Sequence, residues 1–308
     1  MRLRLAIAAM LPLLSLAACG TSTGSQDAGP TRTVKHAMGE TKVPMTPKRV
    51  VVLDSDKLDS MVSLGLAPVG AAQAEDNQTW PEYLGSALSG VKSVGTLTQP
   101  NLEAIAAIKP DLILGSKFRQ ASYYDKLSKI APTVFTERVG ITWKENFLLD
   151  AEALGKKDQA QQLLTAYETR AKQVGAKFSR LKVSVVRFRP TEIRIYGPDS
   201  FCGIVLGDAG IPRPEVQLLE GKDDRRFTKL SQENLADGDG DVLFYSAFGE
   251  EAAKSQAEVT AGPLWQNLKA VKAGRAYNVD DEIWMTGIGV TAAGKILDDL
   301  DKYLTPLV

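Results

Sequence analysis

Thr98, Glu103, Ile105, Asp111, Leu112–Leu114 and Ser116 recur 130 residues later as Thr228, Glu233, Leu235, Asp241, Val242–Phe244 and Ser246. At another offset, Leu64-Gly65-Leu66 falls on Ala209-Gly210-Ile211. Short strings coincide by chance, but two matches in the same chain order point to two related halves. Each half reads as alternating strands and helices. Val50–Leu53 is a β-branched run suited to a buried parallel strand, and the helix after it reaches Leu64 and stops at Gly65. A helix over Leu102–Ile108 leads through Pro110-Asp111 into the strand Leu112–Leu114. This alternation predicts an α/β fold of two lobes with parallel central sheets. Ahead of them, Thr33–Val43 alternates around Gly39 as a hairpin.

Between the halves, Leu164, Tyr167, Ala171, Val174, Phe178 and Leu181 are spaced by threes and fours, which predicts a helix over Lys157–Arg180. At 1.5 Å per residue such a helix is roughly 36 Å long, enough to link two lobes. A preceding helix starts near Trp143 and is stopped by Gly155. The expected division is an N-terminal lobe over 32–142, a helical linker over 143–181 and a C-terminal lobe over 182–308, with the ligand cleft between the lobes.

The N-terminus carries a different message. Arg2 and Arg4 precede an apolar run, Leu5–Leu14, too short to span a bilayer. Leu16-Ala17-Ala18-Cys19-Gly20 follows and resembles the bacterial lipobox. The resemblance implies a signal peptide of residues 1–18, a diacylglycerol on the Cys19 sulfur and an extracytoplasmic protein anchored to the cell membrane by lipid. Residues 19–31, rich in Gly, Ser and Thr, read as a tether. Lys+Arg and Asp+Glu each number 37, and loss of residues 1–18 leaves 35 basic against 37 acidic side chains. That balance gives no polyelectrolyte surface for nucleic acid.

Enzyme chemistry finds little material. The only histidine, His36, lies in the hairpin and reads as an exposed strand residue. A secreted hydrolase would have to build its triad on it. No GxGxxG follows the first strand and no GxxxxGK[ST] occurs. Metal sites of the zinc kind draw on several His or Cys, so no metal site is expected. Cys202 reads as a buried filler at a helix start.

The predicted strand ends are richer, and in open α/β sheets ligands bind outside the carboxyl ends of strands. Leu112–Leu114 leads to Arg119, Val183–Val186 leads to Arg187 and Arg189 on one face, and Val242–Phe244 leads to Tyr245. Tyr277–Val279 leads to a loop holding Trp284. Guanidinium forks suit oxygen acceptors, and aromatic walls cover a carbon skeleton. Singly, each has a plainer reading: Arg187 and Arg189 as surface residues of an edge strand, Arg119 as a helix C-cap, any tryptophan as core.

Pro47–Leu53, Leu64–Gly70, Asn101–Ile105 and Lys109–Leu114, in that order, resemble the substrate-binding proteins of ABC importers for ferric siderophores. The resemblance covers essentially the whole mature chain. It implies two Rossmann-like lobes bridged by a long helix, working as a monomer that hands its ligand to a permease and its ATPase. Glu103 and Glu233 match the positions that dock into arginine pockets of the permease. Arg119 and Arg187, with Arg189 beside it, match arginines that contact the iron-coordinating oxygens. Tyr196 and Tyr245 would hydrogen-bond the same oxygens, and Trp80, Trp143 and Trp284 would wall the cleft. Iron(III) would arrive inside the siderophore, with no cofactor on the protein. Phe188-Arg189-Pro190 and Ile195–Phe201 look most like hydroxamate-type binders, whereas three arginines also suit an anionic complex. Haem or a corrinoid is the alternative ligand, and haem would need a tyrosine such as Tyr245.

Overall fold

The hairpin comes first in the computed structural model, which describes residues 29–74 and 79–308. The leader 1–18, Cys19 and all but the end of the 19–31 tether lie outside the described residues. β1 (Thr31–His36) and β2 (Gly39–Pro44) pair antiparallel, with His36 opposite Gly39. Gly39 turns the chain at φ +122°, a conformation that side chains rarely adopt.

The N-terminal lobe contains β3 (Val50–Val52), α1 (Ser55–Ser63), β4 (Gly70–Gln73), β5 (Lys92–Thr96), α2 (Leu102–Ile108), β6 (Leu112–Ser116), α3 (Lys117–Gln120), α4 (Tyr124–Ser128) and β7 (Thr133–Thr136). Its strands run parallel in the order β5-β4-β3-β6-β7. β3 and β6 are buried along their whole length, because helices cover both faces of the sheet. Contrary to expectation, His36 is half-buried against this lobe. Its Nδ1 accepts the backbone N–H groups of Met38 and Phe135, each at 3.3 Å. The ring proton therefore sits on Nε2, 2.9 Å from Thr41 Oγ1. The imidazole staples the hairpin to β7, and burial holds its pKa below the ordinary histidine value.

Two helices follow, α5 (Trp143–Leu154) and α6 (Lys157–Ala176), divided at Gly155 with φ +74°. The C-terminal lobe then contains β8 (Val183–Arg189), β9 (Glu192–Tyr196), α7 (Phe201–Asp208), β10 (Phe227–Leu230), β11 (Val242–Ala247), α8 (Gly249–Ala261), α9 (Pro263–Gln266), α10 (Lys269–Lys272), β12 (Ala276–Asn278) and α11 (Val290–Leu304). Its order, β10-β9-β8-β11-β12, repeats that of the first lobe. The expected two-lobed α/β plan stands; within the second sheet β8, β11 and β12 are parallel, while β9 and β10 run antiparallel. β8 turns back through Pro190-Thr191 with Arg189 opposite Glu192, and a two-residue turn can only produce an antiparallel neighbour. β10 then adds antiparallel to β9.

The repeat is visible atom by atom. Asp111 accepts the backbone N–H of Lys48 and Arg49 (2.8 and 2.9 Å) just before β3, and Asp241 accepts that of Lys182 (2.9 Å) just before β8. Gly65 and Gly210 end α1 and α7 at φ +73° and +68°. Leu66 N–H and Ile211 N–H then reach back five residues to Met61 and Leu206 (2.8 and 2.9 Å).

The linker is not a rod that holds the halves apart. One buried cluster runs from Val50, Val52 and Leu58 through Trp143, Leu164 and Ala171 to Val183, Phe244 and Ile296. α6 also stops at Ala176, short of Arg180. At Gly175 an added Cβ would stand 1.5 Å from the Ala209 carbonyl, so only glycine lets α6 lie this close to the end of α7. Across the lobes, Asp59 of α1 accepts the N–H groups of Thr291 and Ala292 at the start of α11 (2.9 and 3.0 Å). Lys144 and Tyr167 both reach Asp208 of α7 at 2.8 Å. The two lobes thus share one buried core rather than meeting only at a hinge.

Candidate ligand site between the lobes

In the first lobe the chain leaves β3 toward β4 on one side and returns to β6 on the other, which makes the carboxyl ends of β3 and β6 the switch point of the sheet. Asp54 and Arg119 meet there. Asp54 is fully buried, caps α1 by accepting Ser55 N–H (2.9 Å), accepts Ser116 Oγ–H (2.7 Å) and pairs with Arg119 Nη1. Burial raises its carboxyl above the ordinary range, against the pull of Arg119. Arg119 keeps a quarter of its side chain exposed. Behind it, Lys57 lies fully buried between Asp56 (2.9 Å), Asp150 (3.3 Å) and Thr136 (3.0 Å).

The second lobe answers with one face of its sheet. Arg187 lies opposite Arg194, Arg194 opposite Lys229, and Tyr196 opposite Phe227, so these side chains share a face, along with Arg189. Arg187 is 5% exposed; its Nε donates to Asp281 Oδ1 (2.7 Å), its Nη2 to Asp281 Oδ2, and its Nη1 to the Tyr196 hydroxyl (3.3 Å). Burial alone would lower its pKa, but Asp281 and Tyr196 hold it above the ordinary value. Phe248 lies under both Arg187 (4.7 Å) and Arg189 (4.4 Å), and Phe227 under Arg194 (3.9 Å). No carboxylate lies within ion-pair distance of Arg189 among the described residues. Burial and then the charges of Arg187 and Arg194 lower its pKa.

Where the lobes face each other, a cavity of about 350 Å³ is lined by Phe118, Arg138 and Ile141 on one side and Asp199, Arg225 and Arg226 on the other. Phe118 is 60% exposed, an apolar ring standing at its edge. Arg225 pairs with Asp199 (2.8 Å) and Arg226 with Asp224 (2.7 Å), whose carboxyl is pulled down to about 2 by the Arg226 hydrogen bonds. Arg138, Arg225 and Arg226 escape sequence reasoning because they sit in polar loops. The Asp-Asp-Arg-Arg run was the available signal, since four charges before Phe227 are more than a solvated turn needs.

Other residues expected in the cleft lie elsewhere. Trp143 is buried at the start of α5 against Tyr167 (5.2 Å) and Phe201 (5.7 Å), inside the core that joins the lobes. Trp284 is buried on Phe244 (4.6 Å) with its indole N–H on Asp299 (2.8 Å). Trp80 is half-buried against the same core and does not line the cavity. Tyr245 sits on the opposite face of its sheet from Arg187, edge-on to Trp265 at 5.0 Å. Alternation along β11 explains it: Ser246, not Tyr245, shares the Arg187 face. Tyr196 does share that face, at 8% exposure. Cys202 is buried and its thiol is pushed up by burial. Glu103 and Glu233 are both exposed, each in the first turn of the helix after Asn101 and Ser231.

The family described as periplasmic binding protein matches residues 50–283. The chain belongs to this family. Among its relatives, the probable siderophore-binding lipoprotein YfiY of Bacillus subtilis is 42% identical, over 96% of this chain and 95% of its own. The Fe(3+)-citrate-binding protein YfmC of the same organism is 30% identical, over 95% of this chain and 94% of its own. The crystal structure of Staphylococcus aureus SirA complexed with staphyloferrin B superposes with a TM-score of 0.78 at 36% identity, covering 89% of this chain and 99% of that one. Family and fold are those of solute-binding proteins, not enzymes.

Proposed function

We propose that this protein captures a ferric siderophore between its lobes and delivers it to the permease of an ABC importer from a lipid anchor on Cys19. The observations that carry the reading are the cavity between the lobes, lined by Phe118, Arg138, Arg225 and Arg226, and the guanidinium and aromatic face of Arg187, Arg189, Arg194, Phe227 and Phe248 on the second sheet. Guanidinium groups do not ligate iron. They bind the oxygens that do, while the phenyl rings cover the chelator's carbon skeleton. Relatives that share this plan carry names that refer to siderophore and ferric citrate binding.

The charge of the face bears on the class of chelate. Glu192 stands opposite Arg189 but is taken by Arg194 and Lys229, and Asp281 is taken by Arg187, so four cations share two acids on this face. A chelate with net negative charge, of the carboxylate kind, would satisfy that excess. A tris-hydroxamate complex, the class suggested by the string around Arg189, carries no net negative charge and would leave that excess unpaired. Titration with ferric citrate and with ferrioxamine B, followed by tryptophan fluorescence, separates the two. The expected result is tighter binding of ferric citrate, weakening as salt rises because surface charges are screened. Preference for ferrioxamine B at all salt concentrations would return the hydroxamate reading. Failure of every ferric chelate to bind would end the proposal.

Glu103 and Glu233 are the proposed permease contacts, exposed at matching places of the two lobes. Glu103→Ala with Glu233→Ala should leave the chelate Kd unchanged and remove stimulation of ATP hydrolysis by the reconstituted importer. Undiminished stimulation would place the docking surface elsewhere.

A further inference from the structure

Each lobe holds one arginine with the same three-residue arrangement. In the first, Ser116 Oγ donates to Asp54 (2.7 Å), and the same carboxylate pairs with Arg119. In the second, Ser246 Oγ donates to Asp281 (2.8 Å), whose oxygens take Nε and Nη2 of Arg187. Ser116 and Ser246 are equivalent residues of the repeat, at the ends of β6 and β11. The acids are not equivalent: Asp54 ends the stretch after β3, whereas Asp281 follows β12. The same device has been completed from two different chain segments, so it is not a mere remnant of duplication.

Both carboxylates are buried or nearly so, at 0% and 12% side-chain exposure. Asp281 occupies the inner edge of the Arg187 fork, Nε and Nη2, and Tyr196 takes one Nη1 donor. One N–H of Nη1 and one of Nη2 make no hydrogen bond to the described residues. Fixing a long side chain before the ligand arrives removes part of the entropy cost of binding. We propose that Asp54 and Asp281, locked by Ser116 and Ser246, are positioning residues that aim Arg119 and Arg187 at the bound ligand. The proposal rests on the ligand reading above.

A counter-ion and a positioning residue make opposite predictions. Removing a carboxylate raises the positive charge of the site, so a mere counter-ion predicts tighter binding of an anion. A positioning role predicts weaker binding, because the freed fork swings among rotamers. Asp281→Asn and Asp54→Asn are each expected to weaken ferric citrate binding about tenfold or more, the scale of a hydrogen bond to a charged group. Ser246→Ala and Ser116→Ala, which change no charge, should weaken it less but in the same direction. A Kd unchanged or tightened in the Asn variants overturns the inference.

A ligand-free measurement keeps the two readings apart. The Nε–H signal of Arg187 in ¹⁵N NMR should be exchange-protected in the wild type and lost in Asp281→Asn. An unprotected signal in the wild type means that no clamp exists, and it overturns the proposal whatever binds. Failure of the wild type to bind any ferric chelate, with that protection intact, strikes the functional reading while the clamp stands.

Discussion

Replacing Arg187 by alanine is expected to destabilise the protein by about 3–5 kcal/mol and to abolish tight chelate binding, because it strands a nearly buried carboxylate. Arg187 and Asp281 have only 6% and 12% of their side chains exposed, so water cannot take over the role of the lost partner. Tyr196 and Ser246 lose a neighbour in the same step. Denaturant unfolding at neutral pH measures the first effect, and fluorescence titration the second. The double variant Arg187→Ala, Asp281→Ala should recover much of the stability, since no charge is then left unpaired, but none of the binding. Recovery of neither would mean that the pair matters for shape rather than charge. Full stability in the single variant would show that the pair is solvated in a way its burial does not suggest.

Lys57→Met is the second change with a large expected effect. Lys57 is fully enclosed, and its ammonium is the cation set between Asp56 and Asp150. Each of these acids already has one oxygen, Oδ1, without a hydrogen-bond partner. A methionine would fill the space and leave two acids facing each other out of water, at a cost of about 3–5 kcal/mol. The cost depends on pH. In the wild type burial pushes Asp150 up to about 7, with Lys57 opposing and Asp56 adding to the rise. A folded pKa above the unfolded value means that the native state holds the extra proton. Its contribution is complete below the unfolded pKa of about 4 and erodes as pH climbs toward 7. Without Lys57 that erosion should steepen, so the variant should melt closest to wild type near pH 5 and furthest from it at pH 8. Thermal melts across that range check the sign, and a deficit that is constant with pH would refute it.

Much of the fold was legible because it is local. Gly39, Gly65, Gly155 and Gly210 each mark a place where the chain takes positive φ, and such places end helices and turn hairpins whatever surrounds them. The repeat was legible because Asp111 and Asp241 make the same backbone bonds in both lobes. The pattern failed at β9, where Pro190-Thr191 makes a hairpin in place of a crossover, and a short turn there imposes the antiparallel direction.

The site was less legible. Period two correctly put Arg187 and Arg189 on one face, yet it could not say that Trp143 and Trp284 pack into a core shared by both lobes. An indole in a cleft and an indole in a core have the same sequence surroundings, and only the packing of α5, α6 and α11 separates them. His36 was misread for the same reason, since its partners Met38, Thr41 and Phe135 include one from β7, 99 positions away.

The sequence by itself determined the duplicated α/β plan, the helical linker and the arginines at the strand ends, because turns, caps and periodicity act over a few residues. Tertiary structure alone decided which arginines are clamped, by Asp54 and Asp281, and which, like Arg189, are left with a free charge. Pairing and desolvation are set by residues distant in the chain, and no local pattern encodes who will stand beside a guanidinium once both are buried.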